Sequence, residues 1–267
     1  MIARSDNAPF HLCKYCDLSA PKVCISLQKY CCINNCKKMN VFYSTDIEGD
    51  EIILRDQEAQ HCAKVLRKGR GEQIYVMDGK GNRYTCEIKE AHRSSVELSV
   101  LSSSFVEPNH LLPHLAFGLI KNQSRLEWML EKITEIGVGR ITPLVCQRSE
   151  RRTIKKERIE KILVSAAKQS LQPYVPIIAE PVAFFDYRAE RDRGSHFIAS
   201  YEAGAPNLGE VVDRQRPSVI LIGPEGDFTD KEIKKALSDG YQRVNLGPSR
   251  LRAETASLVS LTLLSLG

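Results

Sequence analysis

From residue 111 to the C-terminus, short apolar runs alternate with stretches whose apolar residues recur every three or four positions. Runs at 115–120, 140–146, 196–200, 218–222 and 244–246 predict buried strands. Leu126, Leu130, Ile133 and Ile136 share one helical face, and Gly137 supplies a stop. Ile159, Ile162, Leu163 and Ala166 form a similar face within a predicted helix over 155–172. Ser124-x-x-Glu127 and Thr229-x-x-Glu232 both fit the capping box that opens a helix. The helix begun at Thr229 is expected to stop at Gly240, and a last helix covers 254–264. This order predicts an α/β domain on a largely parallel sheet. Although 42% of the side chains are hydrophobic, no apolar run approaches the roughly 18–20 residues of a membrane span.

Residues 39–105 have a different rhythm. Strands are predicted at 41–45, 51–55, 72–77, 83–90 and 95–101, with one helix-like piece at 56–67. Asp78-Gly79-Lys80-Gly81-Asn82 supplies hairpin turn chemistry. Several short strands at this spacing suggest a small β-barrel. His61 lacks a metal-spaced partner there, so packing is its expected role. Ahead of this domain, residues 1–38 hold six of the nine cysteines. Cys13-x-x-Cys16 and Cys32-x-x-x-Cys36 could be zinc spacing. The other reading is a disordered or non-native leader before a true start at Met39, and no metal is then expected. The expected organisation is therefore a leader at 1–38, a barrel at 39–108 and an α/β domain at 109–267. The scattered thiols Cys62, Cys86 and Cys146 fit a reducing cytoplasm.

In open parallel sheets, ligands bind beyond the carboxyl ends of the strands, where backbone amides and helix N-termini converge. Two loops of unusual composition leave predicted strands at that edge. The first is Gly223-Pro224-Glu225-Gly226 and the second runs from Leu246 through Gly247, Arg250 and Arg252 to Ala256. Each alone is an ordinary strand-to-helix turn; together they predict a ligand pocket. Neither is GxGxxG or a P-loop, so dinucleotide and nucleoside-triphosphate binding are not indicated.

The net charge of +5 does not by itself announce a nucleic-acid partner. Residues 39–110 even carry nine basic against twelve acidic side chains. Between Cys146 and Lys161, however, Arg148, Arg151, Arg152, Lys155, Lys156, Arg158 and Lys161 face only Glu150, Glu157 and Glu160. Such a run suits phosphate contacts, and it also fits a solvated helix face.

The stretch Ile222-Gly223-Pro224-Glu225-Gly226-Asp227, with Leu246-Gly247-Pro248-Ser249-Arg250-Leu251-Arg252-Ala253-Glu254-Thr255-Ala256, resembles the SPOUT class of trefoil-knotted methyltransferases. It is most similar to the bacterial family that methylates N3 of a uridine in 16S ribosomal RNA, whose motifs read IGPEGG and LGxxxLRxETA. Lys121, Arg125, Glu127-Trp128, Lys132, Thr134-Glu135 and Gly137-Val138 continue the resemblance. So do Arg148-Ser149, Lys168-Gln169-Ser170 and His61-x-x-x-Val65-Leu66-Arg67.

The resemblance implies a PUA-like RNA-binding barrel followed by a knotted domain that holds S-adenosylmethionine. The cofactor would lie against Ile222–Gly226 and Leu246–Ala256, including Leu251 and Thr255, chiefly through backbone groups. It also implies a homodimer whose substrate is 16S ribosomal RNA or the small ribosomal subunit. RNA contacts are expected from Lys121, Arg125, Arg148, Arg151, Arg152, Lys155, Lys156, Lys168 and Gln169. Uracil N3 must lose a proton, so Arg125 or Arg252 is expected to stabilise the imide anion. Glu254 is expected either to take the proton or to serve as a helix-start carboxylate. Asp227 stands where the family has glycine, so a left-handed backbone there would cost more, though Asp tolerates it better than most residues. A related enzyme acting on another RNA site, and a non-catalytic RNA-binding assembly protein, are the alternatives.

Overall fold

The computed structural model describes residues 40–189 and 194–265; the expected leader and the zinc-like cysteine spacing lie outside them. The first sheet comprises β1 (Val41–Tyr43), β2 (Ile47–Glu48), β3 (Glu51–Arg55), β4 (Gln73–Met77), β5 (Asn82–Ala91) and β6 (Ser95–Phe105). Its order is β1-β4-β5-β6-β3-β2, antiparallel throughout except for the parallel β1–β4 pair. Alternate residues such as Ile52 and Leu54, Ile74 and Val76, or Cys86 and Ile88 point into one core, as a period of two requires. The Asp78 carboxylate organises the β4–β5 turn by accepting from the Lys80 and Asn82 amides at 2.7 and 3.0 Å.

The helix expected at 56–67 is shorter and changes pitch. After α1 (Asp56–Gln60) the chain widens into a π-helical turn, His61–Val65. The Leu66 amide reaches the His61 carbonyl at 2.9 Å and the Lys68 amide reaches that of Cys62 at 3.0 Å. Arg67 sits between them in the left-handed region, φ 52°. His61 packs on Phe42, ring centroids 5.7 Å apart.

The second sheet is wholly parallel. It contains β7 (His114–Gly118), β8 (Arg140–Val145), β9 (Ile177–Ile178), β10 (Val182–Ala183), β11 (Ser195–Ala199), β12 (Ser218–Ile222) and β13 (Gln242–Val244). The order is β10-β8-β7-β12-β11-β13, with β9 also on β8. Leu115 and Phe117 of β7, with Ile220 and Ile222 of β12, face α2 (Gln123–Ile136), α3 (Lys156–Ser170) and α6 (Ala253–Ser265). The intervening Ala116, Val219 and Leu221 face Phe228 and α5 (Asp230–Ser238). A sheet covered on both faces explains why its strands read as continuous apolar runs. The short β9, β10 and α4 (Leu208–Val211) carry too few residues to show a period.

The Thr229 capping box forms as expected; the Ser124 box does not. Asn122 caps α2 instead, its side-chain oxygen accepting from the Arg125 amide at 3.0 Å. Glu127 is drawn away by Arg158, 2.6 Å distant. Burial pushes the Cys62 and Cys86 thiols up to about 11 and Cys146 to about 12, so all three act as small apolar fillers rather than nucleophiles.

The two sheets meet through the β4–β5 turn. The Gly81 amide donates to the Pro173 carbonyl at 3.1 Å and the Val175 amide to Gly79 at 3.0 Å. Lys168 pairs with Glu58 at 2.6 Å, with both side chains mostly buried. His114, at the other end of β7, bonds Thr142 Oγ1 at 2.8 Å. Burial, then the charges of Arg140 and His196, lowers its pKa to about 4. The unfolded chain binds that proton near pH 6.5, so the stability tied to neutral His114 is complete above pH 6.5. It is lost as pH falls towards 4, by up to about 3 kcal/mol. Denaturant titrations at pH 7 and 4.5 should show a smaller difference for His114→Gln than for the unaltered protein.

Candidate active site

At the carboxyl edge of the parallel sheet, the segments leaving β11, β12 and β13 enclose a cleft of about 920 Å³. Ile222, Gly223, Pro224 and Glu225 form one wall; Leu246, Gly247, Leu251, Arg252 and Ala256 form the other. Arg125, from the first turn of α2, reaches into the same space. The two loops paired from their composition therefore do meet. Ala199 at the end of β11, with Ser200 and Tyr201 just after it, also lines the cleft, and none of the three was among the expected residues. Tyr201 is 83% exposed there. Nothing in its local sequence singles it out; only the placement of β11 beside both β12 and β13 does so.

The first loop is built by close packing. A Cβ on Gly118, at the end of β7, would lie 2.5 Å from both the Cδ and the N of Pro224. One on Gly223 would meet the Asp227 carboxylate at 3.1 Å and the Phe228 amide at 3.2 Å. Backbone approach of this kind needs glycine. Asp227 does take a left-handed conformation, φ 62°, and its carboxylate accepts from the Phe228 amide at 2.7 Å. That bond offsets part of the strain and shows why Asp can stand in for glycine. Glu225 accepts from the Lys121 amide at 3.0 Å, and Arg148 donates to the Gly226 carbonyl at 2.9 Å. Gly226 consequently packs on Arg148 rather than lining the cleft.

The second loop is held by Asn245. Its side-chain oxygen accepts from the Gly247 amide and from Asn207, each at 3.2 Å. Gly247 has φ 122° with open space where a Cβ would be; the conformation, not crowding, selects glycine. Arg250 and Arg252 are exposed on the cleft rim.

Glu254 is not on the cleft surface. Its side chain is 8% exposed and lies 3.7 Å from Arg125 Nε. Its second carboxylate oxygen is buried without a hydrogen-bond partner among the described residues. Glu254 lies in the first turn of α6, beneath Arg125. Thr255 is exposed outside the cleft.

The basic run is only partly available. Arg148 is bonded to backbone carbonyls, and Arg151 Nε donates to Thr153 at 3.0 Å. Lys156 pairs with Glu180 at 2.8 Å, Arg158 with Glu127, and Lys121 with Glu150 at 2.6 Å. Lys168 is committed to Glu58, so it is a link between the sheets and not a free cation. Arg152, Lys155 and Lys161 are exposed and unpaired among the described residues, with Gln169 exposed beyond them. Among those residues no cluster of His, Cys, Asp or Glu could hold a metal. No helix is long and apolar enough to cross a membrane.

The chain matches two known domain patterns, an RNA methyltransferase domain at residues 107–265 and an RNA methyltransferase PUA domain at 48–101. It is 32% identical over 221 residues to ribosomal RNA small subunit methyltransferase E of Synechocystis, covering 79% of this chain and 71% of that protein. The fold superposes on a probable rRNA-methyltransferase from Porphyromonas gingivalis with a TM-score of 0.76 and 35% identity, over 85% of this chain and 98% of the other. It also superposes on ribosomal RNA small subunit methyltransferase E from Neisseria gonorrhoeae bound to S-adenosyl methionine. There the TM-score is 0.75 at 28% identity, over 84% and 95% of the two chains. This protein belongs to the RNA methyltransferase family that includes ribosomal RNA small subunit methyltransferase E.

Proposed function

We propose that the protein transfers a methyl group from S-adenosylmethionine to N3 of a uridine in 16S ribosomal RNA, in the cytoplasm. The observation that carries this reading is the meeting of two sequence-distant loops over one cleft. The first is shaped by glycine-dependent packing, and Arg125, Arg250 and Arg252 reach the same space. The residues fit the cofactor: backbone of Gly223 and Gly247, which carry no side chain, lines the cleft together with the apolar side chains of Ile222, Leu246 and Leu251. In this reading the division between RNA-binding and methyltransferase domains falls at 108/109, the C-terminal domain is a trefoil knot, and the active form is a homodimer.

The cofactor, when bound, supplies an activated methyl on a good leaving group. The protein's own work is alignment and charge. Ile222–Glu225 and Leu246–Leu251 hold the cofactor and exclude water. Arg252 and Arg125 stabilise negative charge as uracil N3 loses its proton. Glu254 keeps Arg125 aimed at the cleft rather than taking the proton itself, which leaves to solvent. Calorimetry with S-adenosylmethionine, and mapping of the modified nucleotide in ribosomal RNA from a deletion strain with and without the restored gene, test the reading. No heat of binding and an unchanged modification pattern would overturn it.

Within the basic run, Arg152, Lys155 and Lys161 are the cations left for phosphate. Replacing all three by Ala should flatten the salt dependence of RNA binding by up to about 0.7–0.9 for each phosphate no longer neutralised. Arg151→Ala with Lys156→Ala should change it little, since both side chains are already engaged. Filter-binding titrations across a salt series separate the two outcomes.

A further inference from the structure

Tyr201 stands at the cleft with nothing to hold. It is the most exposed large apolar side chain among the described residues, and it makes no hydrogen bond, ion pair or ring contact with any of them. A single exposed ring is common on protein surfaces and by itself means little. Two features set this one apart. First, its backbone is pinned on both sides. The Ser200 amide donates to the Val244 carbonyl at 3.2 Å, and Glu202 pairs with Arg243 of β13. Farther along, the Ala205 amide returns to the Glu202 carbonyl at 3.1 Å, and the Asn245 amide donates to the Pro206 carbonyl at 2.9 Å. A free side chain is thus presented from a braced turn. Second, Tyr201 carries the one aromatic ring among the described residues that line the cleft.

We infer that Tyr201 is the stacking platform for the target base, its ring lying against the face of the uracil while N3 points at the methyl group. The inference rests on the proposed methylation of a uridine. N3 lies on the pairing edge of uracil, so a base held in a helical stack cannot present it to a methyl group in the cleft. The base must leave its stack, and the contact it gives up has to be made good by the protein. Every base offers a π-face, and a tyrosine ring matches it while losing little rotamer freedom. Exposure puts this ring at the mouth of the cleft, where RNA arrives, rather than between the two loops assigned to the cofactor. Arg125 and Arg252 then supply charge at the edge of the base, and Tyr201 fixes its plane.

The test uses the full chain with small ribosomal subunits isolated from a strain lacking the gene. Tyr201→Ala and Tyr201→Leu should each lower the single-turnover rate at saturating subunits about tenfold or more, the effect of losing one base–aromatic stack. Tyr201→Phe and Tyr201→Trp keep a π-face and should retain most of the rate. Melting temperature, affinity for S-adenosylmethionine and the salt dependence of subunit binding should be unchanged in all of them, because the ring packs on nothing and carries no charge. A Phe variant as slow as the Ala variant would assign the effect to the hydroxyl and overturn stacking. Weaker binding of S-adenosylmethionine by the Ala and Leu variants would put the ring on the cofactor, and full rates in both would leave it no role. Each of these results sinks the inference while the functional reading stands. If the unaltered protein methylates no small-subunit RNA, the functional reading fails and the inference with it.

Discussion

Gly118→Ala is expected to abolish measurable binding of S-adenosylmethionine, although Gly118 itself is not a cleft residue. The added Cβ would stand 2.5 Å from the Pro224 ring and its nitrogen. Pro224 cannot retreat: it is buried, and its carbonyl accepts the Asp227 amide at 2.9 Å. Either β7 or the Gly223–Glu225 turn must move, at about 1–3 kcal/mol for overpacking of this kind. A loop displaced by even about 1 Å no longer presents its backbone to the cofactor, and about 100-fold or more in affinity goes with it. Gly223→Val should act similarly through the Asp227 and Phe228 contacts. Gly69→Ala, where a Cβ meets nothing within 4 Å, is the matched control and should leave binding intact. Calorimetry on the folded variants, with folding checked by circular dichroism, decides the matter. Full-strength binding by Gly118→Ala would mean that the loop does not hold the cofactor.

Arg252→Ala should reduce turnover at saturating RNA by about 10²–10³-fold, the usual effect of removing a group that stabilises developing charge, while RNA affinity is largely kept. Arg125→Ala should do the same, with a second consequence. Without Arg125, the buried Glu254 carboxylate loses the cation 3.7 Å away while one of its oxygens already lacks a partner among the described residues. The half-exposed position of Arg125 moderates that loss, so about 1–2 kcal/mol of stability is expected to go with it. Arg252, exposed on the rim, carries no such cost. If the arginines act on the imide anion, the rise of rate with pH should move to higher pH in both variants, because N3 must then ionise unaided. Single-turnover rates across pH, measured alongside denaturant melts, separate the catalytic role from the structural one. Unchanged rates in both variants would remove positive charge from the mechanism.

Features that depend on neighbours a few residues apart were legible in the chain alone. The period of Leu126, Leu130 and Ile133, the stop at Gly137, the Asp78 turn and the Thr229 box all rest on local bonds and torsions, and all formed. The two glycine-bearing loops were legible for the same reason, since a backbone that must bend or be approached closely declares itself in composition. Which chain segments share a surface was settled only by the packing of the whole molecule. Tyr201 joins the cleft only because β11 lies between β12 and β13. Gly118 matters only because Pro224 arrives from more than a hundred residues away to rest on it. Glu254 was open to two readings from its loop, and only packing placed it 3.7 Å from Arg125. Ser124 and Glu127 had the right spacing for a cap, yet Arg158 claimed Glu127 from another helix. The charges divide likewise: Lys168 and Lys156 are bound by carboxylates distant in sequence, while Arg67 and Lys155 have no such partner among the described residues. Strand order and long-range ion pairs are set by burying the whole apolar surface at once, and no window of sequence contains that sum.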